Sequence, residues 1–203
     1  MRDRIVHKAA EMFLALGFKS VTMDDIAAEM GISKKTIYSH YKTKTQLVKE
    51  AVLSVFDKIT CGISEIRAAN YNPIEELFEM KKFAMLQLND EKSSPQYQLQ
   101  KYYPEVFQTV KRMQYEKMHG YSTVNLEKGI AEGLYRSNLS VEFVSRIYFV
   151  GVNGIKDDTL FPLNKFPKVQ LMDDYLEYHL RGIVTAKGLE ILKKFINEKT
   201  QDH

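Results

Sequence analysis

The stretch TMDDIAAEMGISKKTIYSHYKTKTQL, residues 22–47, decides the fold, because it carries three helix starts in close succession. Thr22 is a good N-cap, and Asp24 and Asp25 fall in the first turn, where carboxylates meet the positive end of the helix dipole. Val21 and Ile26 occupy the two positions of a hydrophobic staple. Gly31 stops this helix after about two turns. Ser33 caps the next helix, with Ile32 and Ile37 as its staple pair. Thr43 opens a further one, and Gln46 three residues later completes a capping box. Each cap is worth only about 1 kcal/mol, so their weight lies in fixing boundaries. The pattern predicts two short helices, at about 22–30 and 33–40, separated by a tight Gly31-Ile32 turn.

Upstream, Ile5, Ala9, Met12, Phe13 and Leu16 fall on one face of a first helix. Gly17 ends it, and Phe18 lies where it can fold back on Phe13. A helix followed by two short helices around a tight turn is the layout of a helix-turn-helix, whose last helix lies in the DNA major groove with its N-terminal residues on the base edges. Here those residues are Lys34, Lys35 and Thr36. The long cations can reach guanine O6/N7 or a phosphate, and threonine can offer a hydroxyl or a methyl. Tyr38, His40, Tyr41 and Lys42 follow on the basic and aromatic side. Ile26, Ala27, Ile32, Ile37 and Leu47 are spent on the core. No second ligand is spaced to make His40 a metal site.

Charge agrees with this division. Residues 1–50 hold nine Lys/Arg against six Asp/Glu and so carry the whole net charge of +3, while the other 153 residues balance at 20 against 20. A positive excess confined to one end suits a polyanionic partner there. At 44% apolar and 27% charged residues the composition is that of a soluble globular protein. No run approaches the roughly 18 apolar residues of a membrane span, and the N-terminus is amphipathic rather than a signal sequence, so the expected location is cytoplasmic with no membrane partner. The single Cys61 excludes an internal disulfide and any multi-cysteine metal site. Its place among Ile59, Ile63 and Ile66 predicts a buried, inert thiol.

Residues 22–47 resemble the DNA-binding signature of the tetracycline-repressor (TetR) family, and Ala9-Ala10-Glu11-Met12-Phe13 with Gly17-Phe18 is similar to that family's first helix. The resemblance implies three helices and the start of a fourth, binding operator DNA as a homodimer. It places Thr22, Ser33, Tyr38 and Lys44 on phosphates, and Lys34, Lys35, Thr36 and His40 nearest the base edges. Lys35 stands where the family usually has a small residue, and Thr45 where it usually has an acidic one.

The rest of the chain reads as helix throughout, which makes the fold class all-α. Residues 1–47 form the expected DNA-binding domain, joined by a long helix to an effector-binding and dimerisation domain, residues 48–203. Val48, Val52, Val55, Ile59, Ile63 and Ile66 mark the long helix, ending near Asn70. Asn72, Pro73 and Glu75 start another that runs to about Asn89. Lys92-Ser93-Ser94-Pro95 is loop-like, and Pro104 starts a long helix through Phe107, Val110, Met113, Tyr121 and Val124.

Residues 129–136 form a break that also resembles the family, where it leads to the dimer-forming pair; here that pair is about 141–156 and 168–184. Its stripes supply the candidate dimer interface: Val144, Ile147, Tyr148, Gly151 and Ile155, with Met172, Leu176, His179 and Ile183. Gly151 and Gly154 allow close helix approach. A terminal helix over 186–197 completes the chain. Candidates to line an effector pocket are Phe83, Tyr102, Tyr103, Phe107, Tyr115, Met118, His119 and Tyr148, an apolar set with a few polar handles.

No catalytic constellation is present: there is no HExxH, no glycine-rich phosphate loop and no Cys/His pair, and the five histidines are scattered. Neither a cofactor nor a metal is expected. The reading is a transcriptional regulator, a repressor released from a palindromic operator by a small molecule. A nucleoid- or division-associated DNA binder that answers to no ligand is the alternative, and an enzyme or small-molecule carrier the more distant one.

Overall fold

The computed structural model describes residues 1–88 and 95–201. Among the described residues there are ten α-helices: α1 (Arg2–Leu16), α2 (Met23–Glu29), α3 (Lys34–His40), α4 (Lys44–Ala68), α5 (Pro73–Gln87), α6 (Pro95–Tyr102), α7 (Pro104–Ala131), α8 (Val141–Gly154), α9 (Lys168–Ile183) and α10 (Ala186–Gln201). The only extended pairing among them is an isolated antiparallel bridge between Tyr135 and Val184. No helix among these residues is long and apolar enough to cross a membrane.

Local chemistry sets the helix ends where the sequence marks them. Gly17 takes φ +88° and returns its N–H to the Phe13 carbonyl, and Phe13 and Phe18 stack with centroids 5.3 Å apart. The Thr22 hydroxyl accepts from the Asp25 N–H while the Asp25 carboxylate accepts from the Thr22 N–H, a reciprocal cap that satisfies two otherwise orphaned donors. Gly31 at φ +63° turns the chain between α2 and α3. Asn72 caps α5 by accepting from the Ile74 and Glu75 N–H groups. At Thr43 the hydroxyl accepts from the Gln46 N–H, whereas the Gln46 side chain accepts from the Lys42 N–H, one residue before the expected partner.

Helix α6 has no counterpart in the sequence reading. It sits between the loop-like Lys92–Ser94, which lies outside the described residues, and Pro104 at the start of α7. Cys61 is exposed, not buried. The glycine beside it, Gly62, takes the buried position on α4, so the apolar stripe passes one residue to the side of the thiol.

The chain divides into two compact units: residues 1–62 with 84–114, and residues 63–83 with 115–203. The first packs Ile5, Ala9, Phe13, Ile26, Ile37 and Leu47 with Leu99 and Phe107. The second packs Ile74, Leu77 and Phe78 with Leu126, Tyr135, Leu176, Leu180 and Leu192. A buried polar chain stiffens the second unit: Tyr135 donates to Asn125 Oδ1 (3.1 Å), and Asn125 Nδ2 donates to the Pro73 carbonyl (2.9 Å) and to Glu76 (3.0 Å). Burial pushes the Tyr135 hydroxyl well above its ordinary range. The Tyr135 ring lies so close to Gly129 that a β-carbon there would stand 2.0 Å from it, which explains the glycine at the break.

Candidate nucleic-acid interface

Helix α3 buries one side chain, Ile37, and leaves most of the others to solvent. Its cap, Ser33, accepts from the Thr36 N–H at 3.1 Å, and the two hydroxyls lie 2.8 Å apart. The N-terminal turn therefore presents Lys34, Lys35 and Thr36 from a fixed end. Lys35 is exposed and forms no ion pair among the described residues. Lys34 Nζ is paired with Asp24 in the first turn of α2, which raises the affinity of its ammonium for its proton. Residue spacing marks Asp24 only as a dipole partner of α2; its contact with Lys34 crosses the turn and leaves no signal in the sequence. Since both groups are largely solvated, the pair is weak, and a phosphate can displace the carboxylate at little cost.

Around this end, Thr22, Ser33, His40 and Lys42 are exposed, and Tyr38 is 47% exposed. These side chains remain available to a polyanion. Two others do not. Tyr41 is 1% exposed, and its hydroxyl donates to Glu50 Oε2 at 2.6 Å. Arg2 closes the cluster by donating to both Tyr41 and Glu50, and it holds the Glu50 carboxyl below its ordinary range. Tyr41 is thus a core residue that pins α1 to α4, a correction to its expected place on the DNA-facing side. Lys44 Nζ donates to the Phe18 carbonyl at 2.6 Å, and burial lowers its proton affinity. It holds the α1–α2 turn rather than standing free for a phosphate.

The expected pocket residues are scattered. Tyr103 and Phe107 pack into the core of the first unit, and Tyr102, 39% exposed, belongs to that unit as well. Phe83 is partly buried in the second unit. There, too, Tyr115 stacks on His119 at 5.5 Å, His119 Nδ1 lies 2.9 Å from Ser145 Oγ, and Met118 is partly buried. Of the eight, Tyr148 alone lines the cavity described in the second unit. Its other walls are Leu77, Leu126, Val144 and Ile183, with Ser122, Asn125 and His179 as polar members. At about 10 Å³ it has room for one water molecule. Burial lowers the His179 pKa to about 4 and raises that of Tyr148 to about 12.

The expected dimer stripe is mostly the inward face of its two helices. Val144, Leu176 and Ile183 are buried in the second unit's core, Tyr148 packs against that core, and its ring lies 4.7 Å from His179. Met172 and Ile155 are partly buried. Gly151 receives the Tyr175 hydroxyl of α9, which donates to the Tyr148 carbonyl at 3.1 Å, so the close approach it permits is within the protomer. A β-carbon at Gly154 would meet nothing within 4 Å. The apolar side chains left uncovered are Phe143 (64% exposed), Ile147 and Val150 on α8 and Val169 and Tyr178 (78% exposed) on α9. Only Ile147 was in the expected set.

Comparison with known proteins bears on the same residues. Residues 5–51 match the model of the family described as bacterial regulatory proteins, tetR family. The chain is 27% identical over 200 residues to the HTH-type transcriptional repressor KstR2 of Mycolicibacterium smegmatis, covering 92% of each. It is 33% identical over 57 residues, 28% of this chain and 31% of the relative, to the negative transcriptional regulator IcaR of the biofilm operon icaADBC in Staphylococcus aureus. A solved TetR-family transcriptional regulator from Agrobacterium tumefaciens superposes with a TM-score of 0.72 at 20% identity, covering 91% of this chain and 97% of that one.

Proposed function

We propose that the chain is a TetR-family transcriptional regulator, a cytoplasmic homodimeric repressor whose α3 helices read the two halves of a palindromic operator. The observation that carries this reading is the capped end of α3, where Lys34, Lys35 and Thr36 face outward while Ile37 anchors the helix beneath them. Thr22, Ser33, Tyr38 and Lys42 serve as phosphate contacts and His40 as a further base-side group. One such helix makes too few contacts to discriminate well; two, about one helical turn of DNA apart, bind a symmetric site. The second copy docks on the apolar strip of Phe143, Ile147, Val150 and Tyr178. Residues 1–47 thus supply the DNA contact and the rest of the chain the pairing and the signal.

Repression is the activity in the names of the repressor KstR2 and the negative regulator IcaR. The effector site of this reading is the cavity beside Ser122, Asn125, Tyr148 and His179, which offers neutral polar handles within apolar walls. An effector larger than one water must part the helices around it, and that movement would couple binding to release. The same small cavity favours a second reading, a DNA binder without a ligand.

Both readings meet one experiment. Bound duplexes are selected from a random pool by the full-length protein, with and without a metabolite extract. The proposal expects a palindromic consensus whose recovery falls with the extract. A consensus indifferent to every extract fraction supports the ligand-free reading, and no enrichment at all contradicts both.

A further inference from the structure

The turn between α1 and α2 is held from a distant part of the chain. Lys19 N–H donates to Gln98 Oε1 of α6 at 3.1 Å. The Gln98 amide lies over Gly17, where a β-carbon would stand 2.6 Å from its Nε2 and 2.7 Å from its Oε1. Gly17 is needed for its φ of +88°, and a β-carbon there would also push the Gln98 amide off the turn. Phe18, the next residue, meets the Tyr103 ring edge-on at 6.2 Å, and the Lys19 ammonium lies 5.7 Å from the centre of the Tyr102 ring. From the other direction Lys44 Nζ holds the Phe18 carbonyl. Three residues of the α6–α7 corner thus grip Gly17, Phe18 and Lys19, in the turn that leads to Thr22, the cap of α2.

We propose that Gln98 is a positioning residue for operator recognition: by fixing the Gly17–Lys19 turn, its amide sets how the helix-turn-helix is presented to DNA. This rests on the DNA-binding reading above. The turn precedes α2, and α2 is joined to the reading helix by the Gly31 turn and by the shared packing of Ile26, Ala27 and Ile37. A turn free to change its backbone angles would let α2 and α3 shift together without unfolding either. Gln98 also lies between the two points, at residues 83/84 and 114/115, where the chain passes from one compact unit to the other.

The test compares wild type, Gln98→Ala and Gln98→Glu, each as the full chain. Binding is measured to a duplex selected by the wild type and to a random-sequence duplex of equal length, alongside amide exchange at Lys19, thermal unfolding and sedimentation. Losing one hydrogen bond should speed Lys19 exchange in Gln98→Ala by about fivefold to tenfold and weaken the selected duplex by a similar factor. Random duplex, which is bound through phosphates alone, should keep its affinity within about twofold. Gln98→Glu retains an acceptor oxygen and should restore both the Lys19 protection and the preference for the selected duplex. If Gln98→Ala frees the Lys19 amide yet keeps full preference, the proposal is overturned. Equal loss on both duplexes with a lowered melting temperature also overturns it, by showing a merely structural role. A wild type that enriches no duplex from the pool would instead refute the DNA-binding reading itself, and this proposal with it.

Discussion

In α3 the apolar residue goes in and the basic and aromatic ones stay out: Ile37 is fully buried while Lys34, Lys35, Tyr38 and His40 are exposed. In α8 apolar residues go both ways. Val144, Phe149 and Val152 are buried, and Phe143, Ile147 and Val150, just as apolar, are exposed. A helix with one apolar face has one partner, and its other face is free for a ligand such as DNA. A helix with two apolar faces buries one in its own chain and leaves the other uncovered, the face on which the proposed second copy docks. Periodicity reveals that a stripe exists; it does not say which of two stripes faces home.

The strongest way to break this comparison is to charge the outer stripe of α8. Ile147→Glu with Val150→Glu should leave the helical content intact, give a monomer by sedimentation, and weaken operator binding by about 100-fold or more, since the second half-site is lost. A dimer that survives both charges would put the interface elsewhere. The inner face should respond in the opposite manner. Gly151→Ala drives a β-carbon against the Tyr175 hydroxyl, so it should lower stability by about 1–3 kcal/mol while the dimer persists; calorimetry and sedimentation separate the two effects.

A smaller effect should come from His179, also on the inner side. The folded chain keeps its imidazole neutral down to about pH 4, whereas in the unfolded chain it takes up a proton near pH 6.5. The resulting stability is complete above pH 6.5 and is lost as pH falls through this window. Between pH 6.5 and 5 the wild type should lose up to about 2 kcal/mol that His179→Gln does not lose, as read by denaturant unfolding at each pH. The smallest effect belongs to the DNA-reading end: Ser33→Ala removes a cap and should cost about 1 kcal/mol of stability, with a modest fall in operator affinity.

Much of the fold was legible because the sequence punctuates its helices. Thr22, Ser33 and Asn72 act as caps, and Gly17, Gly31 and the Gly129–Arg136 break end helices close to the expected places. Side-chain partners formed across long separations were not legible. Tyr41 carries the same polar tip as Tyr38, and only Arg2 and Glu50, 39 and nine residues away, turn it into a core residue. Lys44 was similarly claimed by a carbonyl 26 residues back. Aromatic residues at helical spacing did not reveal a pocket, because Tyr103 and Phe107 satisfy the same pattern by packing in the first unit. Helix α6 leaves little signal in the sequence because its eight residues are mostly polar and begin beside a loop-like stretch.

The central claim is that the N-terminal end of α3 reads the operator. Its most direct test is the affinity of Lys34→Ala/Lys35→Ala for the duplex selected by the wild type. With each base-edge contact worth about 1–3 kcal/mol, the double variant should bind at least about 30-fold more weakly while remaining a helical dimer. If that folded dimer binds the selected duplex as tightly as the wild type does, α3 is not the reading helix and the account is wrong.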